Sequence, residues 1–313
     1  MENQSTDTLM MIRPVQFRFN EQTAVNNYYQ KVIEGMKAEE VQQNAASEFD
    51  TFVDKLRAKG IQVIVFEDTV DPDTPDSIFP NNWISFHGDG RVGLYPMYAE
   101  NRRLERRKDI LEKLQSVYKL QITDTVDFTE HETGGTYLEG TGSMILDRPN
   151  RLCYAAISLR TNEKILEEFC SRFGYEAVKF VANQTVSDER MPIYHTNVMM
   201  CVADDFAIIC SESIDDEGER KNLITKLDQS GKEVIKITED QKHHFAGNML
   251  QVRSTGGTPY LVMSAAAHQS LRIDQIAQIE KHSEIISSSL DTIEALGGGS
   301  ARCMMAEVFL PKA

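Results

Sequence analysis

A chain of 313 residues with 41% hydrophobic and 26% charged side chains has enough apolar material for a large buried core. It lacks the run of roughly 20 apolar residues that a membrane-spanning helix needs. Its 33 basic and 48 acidic residues give a formal charge of −15, which repels a phosphate backbone and argues against nucleic-acid binding.

The five cysteines (Cys153, Cys170, Cys201, Cys210 and Cys303) are odd in number, form no CxxC pair and lie at no metal-ligand spacing from a histidine. That argues against a disulfide framework and a zinc site, so neither a metal nor a cofactor is expected. The N-terminal stretch MENQSTDTLMMIRP has no basic start followed by an apolar block. It predicts a cytoplasmic chain without a secretory signal, whose first eight residues form a frayed tail.

In chain order, residues 39–57 place Val41, Ala45, Phe49, Phe52, Val53 and Leu56 on one helical face, stop at Gly60 and pass into the strand-like IQVIVFE. A polar cluster, FPNNWISFH, follows on what reads as a short strand. The basic run Arg102, Arg103, Arg106, Arg107 and Lys108 alternates with Leu104 and Ile110 and predicts a solvated helix face leading into QITDTV. Next comes YLEGTGSMIL, whose GTGS lacks the GK[ST] ending of a phosphate loop.

The helix-to-strand grammar recurs at NEKILEEFCSRFG with YEAVKFVA, before the cluster YHTNVMMCV. It recurs again at RKNLITKLDQSG with KEVIKIT, before His243, His244 and FAGNMLQV. A helical stretch over residues 273–296 and a glycine run, Gly297 to Gly299, lead into SARCMMAEVFLP. The polar clusters centre on Asn82, Glu139, His195, Asn248 and Cys303. Their period of roughly 50–60 residues is that of repeated supersecondary units, so the fold class is α/β with five units around one centre.

The residue types in these clusters suit covalent catalysis. A thiol attacks as thiolate, and Cys303 follows glycines that let backbone and substrate approach closely. The imidazole of His195 has an ordinary pKa of about 6.5, suited to moving protons near neutrality. Glu139 supplies a carboxylate able to orient that ring. The other four cysteines lie in apolar strand or helix patterns and read as small core residues.

The ordered set FPNNW, LEGTGS, HTN and GGGSARC resembles the guanidino-group-modifying (amidinotransferase and arginine deiminase-like) superfamily. The opening IRPVQFRFN and the segment GGGSARCMMAEVFLP look most like its citrulline utilization hydrolase subgroup. The resemblance implies a pentein-like five-bladed α/β propeller of ββαβ modules, as one domain over residues 1–313. It implies Cys303 as nucleophile, His195 as acid and then base, Glu139 as the group positioning that histidine, and Arg160 as partner of a substrate carboxylate.

Arg302 and Arg13 are rival carboxylate partners, and Trp83 is either a pocket wall or a core anchor. Asn82 and Asn197 stand where guanidinium-binding relatives often carry aspartates. Amides match the acceptor and donors of a ureido group, whereas a buried guanidinium without its anions is costly. The expected reaction is therefore conversion of citrulline to ornithine, ammonia and carbon dioxide. Asp76, Glu132 or Asp205 remain as sources of charge for the alternative, a guanidino hydrolase such as arginine deiminase or dimethylarginine dimethylaminohydrolase. A non-catalytic amino-acid-binding propeller is the second alternative. The expected partner is a small amino-acid substrate, with no nucleic acid, no membrane and a homodimer as one assembly.

Overall fold

Amphipathic helices followed by β-branched strands dictate most of the chain. In the computed structural model, which describes residues 3–33 and 35–312, the helix Ala38–Ala58 buries Val41, Ala45, Phe49, Phe52, Val53 and Leu56, the six positions its periodicity selects. The turn at Gly60 adopts φ +78°, and the chain then enters the strand Gln62–Glu67. A comparable unit follows where the Asn162 side chain caps the helix Glu163–Phe173 and Gly174 ends it in the left-handed region.

These units build five three-stranded mixed sheets. In four of them two short antiparallel strands are followed by a helical crossover to a parallel third strand. They comprise Ile84–Phe86, Arg91–Leu94 and Asp124–Asp127, then Ile145–Asp147, Leu152–Ala156 and Glu176–Phe180. The next two are Met200–Val202, Phe206–Ile209 and Glu233–Lys236, and Leu250–Arg253, Pro259–Ser264 and Glu284–Ser288. The remaining sheet joins both ends of the chain: Thr8–Arg13 pairs in parallel with Gln62–Glu67 and antiparallel with Ala306–Glu307. A separate hairpin, Asn183–Val186 with Glu189–Pro192, lies in the connection between the strands Glu176–Phe180 and Met200–Val202.

Four expectations change. Residues 273–296 are not one helix but the helix Ile273–Glu280, the strand Glu284–Ser288 and the helix Asp291–Gly297, because the β-branched pair in EIISS pairs with the neighbouring strand. The tail is not frayed over its described part. Gln4 is buried and its side-chain amide donates to the carbonyls of Leu146 and Val202, while residues 1 and 2 lie outside the described residues.

The polar clusters also differ, sitting on tight turns immediately before their strands rather than on the strands themselves. Four are single helical turns, Pro80–Asn82, Gly140–Ser143, Thr196–Val198 and Ala301–Met304, and the fourth cluster is a turn over residues 245–248. A turn rotates successive side chains by roughly 100–120°, which lets neighbouring polar groups face different partners. Finally, Arg102 is not on a solvated face: it is 2% exposed and forms a two-point ion pair with Glu105.

Candidate active site

The turns of successive sheets touch one another, and glycine makes one such contact unavoidable. A Cβ on Gly142 would lie 2.3 Å from Asn82 Nδ2 and 2.9 Å from His195 Nδ1. Any larger residue would separate the side chains of three turns. They meet around a cup of about 20 Å³ lined by Asp76, Phe79, Asn82, Arg102, Arg160, Tyr194, His195, Gly297 to Gly299 and Cys303, with Thr23 and Asn27 contributed by the segment before the long helix.

Glu139 Oε2 accepts from His195 Nε2 at 2.7 Å, and Glu139 Oε1 accepts from the Tyr98 backbone N–H at 2.9 Å. Burial is the largest influence on Glu139 and would raise its pKa. The Arg160 guanidinium, the bond from His195 and Arg102 outweigh it and hold the carboxyl well below its ordinary range. Burial pushes His195 down to about 4, against the pull of Glu139 and with help from Arg160 and Arg102, so the ring is neutral at pH 7. Nε2 is then the protonated nitrogen that donates to Glu139, which leaves Nδ1 as the free acceptor.

Cys303 Sγ lies 3.3 Å from Asn197 Nδ2 and 3.2 Å from Asn248 Nδ2. Asn82 Oδ1 accepts from Arg102 Nη1 at 2.9 Å. Because the guanidinium can only donate, the Asn82 oxygen must face it, and Asn82 Nδ2 is left without a partner among the described residues. Asn197 has the converse vacancy, its Oδ1 lacking a partner. Beside the thiol there is thus one free amide donor on the lining residue Asn82 and one free amide acceptor on Asn197, which is bonded to the thiol from behind the lining.

Charged groups form the remaining lining. Asp76 Oδ2 accepts from Asn20 at 2.8 Å and Thr23 at 3.1 Å, its other oxygen is unpartnered, and burial raises its pKa. Arg160 donates to the Thr23 carbonyl at 3.0 Å and to Asn26 Oδ1, and its Nη1 lies 3.5 Å from Glu139. Every one of these partners belongs to the protein, so a substrate carboxylate would displace Thr23 or Asn26 to reach it.

Of the residues selected from sequence, Cys303, His195, Asn82, Arg160 and Asp76 line the cup, with Glu139 and Asn197 bonded directly to members of it. Five others lie elsewhere. Trp83 is buried in the apolar cluster of Met10, Ile12, Ile84 and Phe86, so the core-anchor reading applies and it does not wall the cup. Arg302 turns away to Glu307 Oε2 at 2.8 Å and the Met305 carbonyl, and Arg13 pairs with Asp50 on the surface. Glu132 pairs with Arg106, and Asp205 is absent from the lining. Sequence reading missed Arg102, Thr23, Asn27 and Tyr194. Only Arg102 left a signal, the i,i+3 glutamate Glu105 that neutralises it.

A family model described as "N,N dimethylarginine dimethylhydrolase, eukaryotic" matches residues 13–310. No curated protein matches the sequence. Among solved structures, the substrate-bound N-terminal domain of ArgZ, an arginine dihydrolase from the ornithine-ammonia cycle in cyanobacteria, is 15% identical with a TM-score of 0.73, the match covering 96% of this chain and 97% of that domain. Full-length ArgZ is 16% identical with a TM-score of 0.75, and the chain spans 41% of it. A dimethylarginine dimethylaminohydrolase variant carrying an S-methyl-L-thiocitrulline adduct is 13% identical with a TM-score of 0.65, covering 98% of this chain and 100% of that one. At these identities the structural likeness is one of fold. Among the described residues, no helix is long and apolar enough to cross a membrane.

Proposed function

The chain belongs to the N,N-dimethylarginine dimethylhydrolase family, and from that premise we propose that it is a cysteine-dependent hydrolase cleaving a terminal C–N bond of a free ureido or guanidino amino acid. The observation that carries this reading is a thiol with two amide donors within 3.3 Å, on one cup with a histidine bound to a buried carboxylate. Cys303 is the nucleophile, His195 the proton carrier, and Glu139 the group that fixes the ring so that Nδ1 stays basic. Asp76 and Arg160 suit the ammonium and carboxylate of an amino-acid head, each being charged, buried and on the cup lining.

For the reacting group we favour the ureido of citrulline. Its oxygen suits the free Asn82 donor and its N–H groups suit the free Asn197 acceptor. Attack by sulfur on the ureido carbon passes the thiol proton to His195 and builds negative charge on the oxygen, where an amide donor stabilises it. The imidazolium then protonates the departing nitrogen. Water, losing its proton to the same ring, releases the carbamoyl group as a carbamate that decomposes, so that citrulline and water give ornithine, ammonia and carbon dioxide. A second reading, arginine or a methylated arginine, is favoured by the ionised Glu139 and the free oxygen of Asp76, which supply anionic charge near a guanidinium.

We read the five sheets as blades of one propeller spanning the single domain 1–313, supported by the sheet that both chain ends share. We read the compartment as cytosolic, which suits five cysteines that are all free. The test is to incubate the protein with citrulline, arginine and asymmetric dimethylarginine and to measure citrulline, ornithine, ammonia and dimethylamine, with C303S as control. Citrulline is expected to turn over fastest. Arginine winning by about tenfold or more, a transition-state difference of roughly 1.4 kcal/mol, sinks the ureido reading, and no turnover of any of the three sinks the hydrolase reading.

A further inference from the structure

We infer that Asn248, in the turn of the fourth repeat, stabilises and aims the Cys303 thiolate as a neutral anion-binding group, a role that rests on the reading of Cys303 as nucleophile. Asn248 is 1% exposed, and its Oδ1 accepts from the Arg302 backbone N–H at 3.0 Å. That bond holds the amide beside the sulfur, with Nδ2 reaching both the Asn197 carbonyl at 3.0 Å and Cys303 Sγ at 3.2 Å while Oδ1 lies farther from the sulfur, at 3.7 Å. Asn197 also donates to sulfur, yet it keeps an unpartnered oxygen for a substrate. Both polar atoms of Asn248 are already engaged, so substrate contact would break its own bonds.

Backbone packing enforces this placement. A Cβ on Gly247 would lie 2.4 Å from the Val198 carbonyl oxygen, so the third and fourth turns can approach this closely only with glycine there. Asn248 therefore ties three segments, the turns of residues 196–198 and 301–304 and its own, and its N–H is delivered to sulfur by the fold.

The electrostatic surroundings explain why such a donor is needed. The charged and titratable groups lining the cup with the thiol are His195, Tyr194, Asp76, Arg102 and Arg160, with Glu139 behind His195. Arg102 is paired with Glu105, Arg160 lies beside Glu139, and Arg302 next to the cysteine pairs with Glu307. His195 is neutral at pH 7 because burial lowers its pKa. Each guanidinium on or beside the cup is thus paired with a carboxylate rather than with the sulfur, and neutral N–H donors must carry the stabilisation of a thiolate.

The experiment follows the ultraviolet absorbance of the thiolate against pH, with the C303S spectrum subtracted, in wild type, N248A, N248D and N197A. Circular dichroism checks each fold, and N248S replaces any variant that fails to fold. Loss of one charge-assisted bond should raise the titration midpoint of Cys303 by about one pH unit in N248A, and more in N248D, where a carboxylate faces the sulfur. N248A should lower kcat about tenfold at pH 7 with KM changed less than about threefold, whereas N197A should move both. Midpoints within about 0.3 unit of wild type in folded N248A and N248D would overturn the inference. Shifted midpoints in a protein that hydrolyses no ureido or guanidino amino acid would overturn the functional reading and leave the thiolate assignment standing.

Discussion

The side chains that line the cup and those bonded directly to them divide into two chemically unlike sets. Around Cys303 the polar side chains are neutral: Asn82, Asn197, Asn248 and an unprotonated His195. Toward the amino-terminal segment they are charged: Asp76, Arg102 with Glu105, and Arg160 with Glu139. In the charged set both guanidinium groups have a buried carboxylate within salt-bridge distance, whereas the amide set keeps a donor and an acceptor unused. Charges inside a fold must be neutralised locally and so become scaffolding, while an amide can be left half-satisfied at about 1–3 kcal/mol. In the proposed reading the substrate takes up this unused capacity together with the free oxygen of Asp76.

The comparison breaks most sharply at the sulfur. C303S should reduce turnover by about 10⁴-fold or more without loss of stability, measured by ornithine release and urea denaturation, because it removes the nucleophile and little volume. E139Q should cut kcat by about 10²–10³-fold. It frees Arg160 and removes the acceptor that fixes the His195 tautomer, so steady-state kinetics should show the loss in kcat before KM.

A stability measurement sharpens the same contrast. The folded-state pKa of His195 is lowered to about 4, below the unfolded value of 6.5, so between those values only the unfolded chain takes up the proton. Its contribution is fully present above about pH 6.5 and should be lost as pH falls to 4, a decline on the order of 3 kcal/mol in denaturant titrations. H195Q should flatten that slope.

Crossing the two sets is a smaller step. N82D puts a carboxylate where Arg102 already supplies a cation and leaves an oxygen free toward the cup. The ratio of kcat/KM for arginine over citrulline should rise by about tenfold, and an unchanged ratio would mean that the amide does not select the substrate. The smallest effect belongs to Trp83, outside both sets. W83F should change kcat/KM by less than about threefold while lowering stability by about 1–2 kcal/mol, read from thermal and urea melts.

Much of this architecture was legible in the chain. The core face of Ala38–Ala58 and the glycine-ended helices followed from 3.6-residue periodicity, and the recurrence of Glu139, His195 and Cys303 at corresponding places followed from the repeat, although on turns rather than on the strands expected. Local periodicity misjudged the region 273–296, where strand pairing with Pro259–Ser264 overrode a helical pattern, and the terminal strand pairing that orders residues 4–8. It could not rank the arginines. Arg13, Arg102, Arg160 and Arg302 are alike as letters, and only their three-dimensional carboxylates separate a surface pair from a cup wall.

Residue types and their spacing alone picked out the candidate chemistry, a thiol, an imidazole and a carboxylate recurring at corresponding places of a repeated unit. Tertiary structure alone decided which atoms of the surrounding amides remain free, because Arg102 claims the oxygen of Asn82 and the Arg302 backbone claims that of Asn248. An amide is both donor and acceptor until a neighbour takes one end, and those neighbours lie 20 and 54 residues away along the chain.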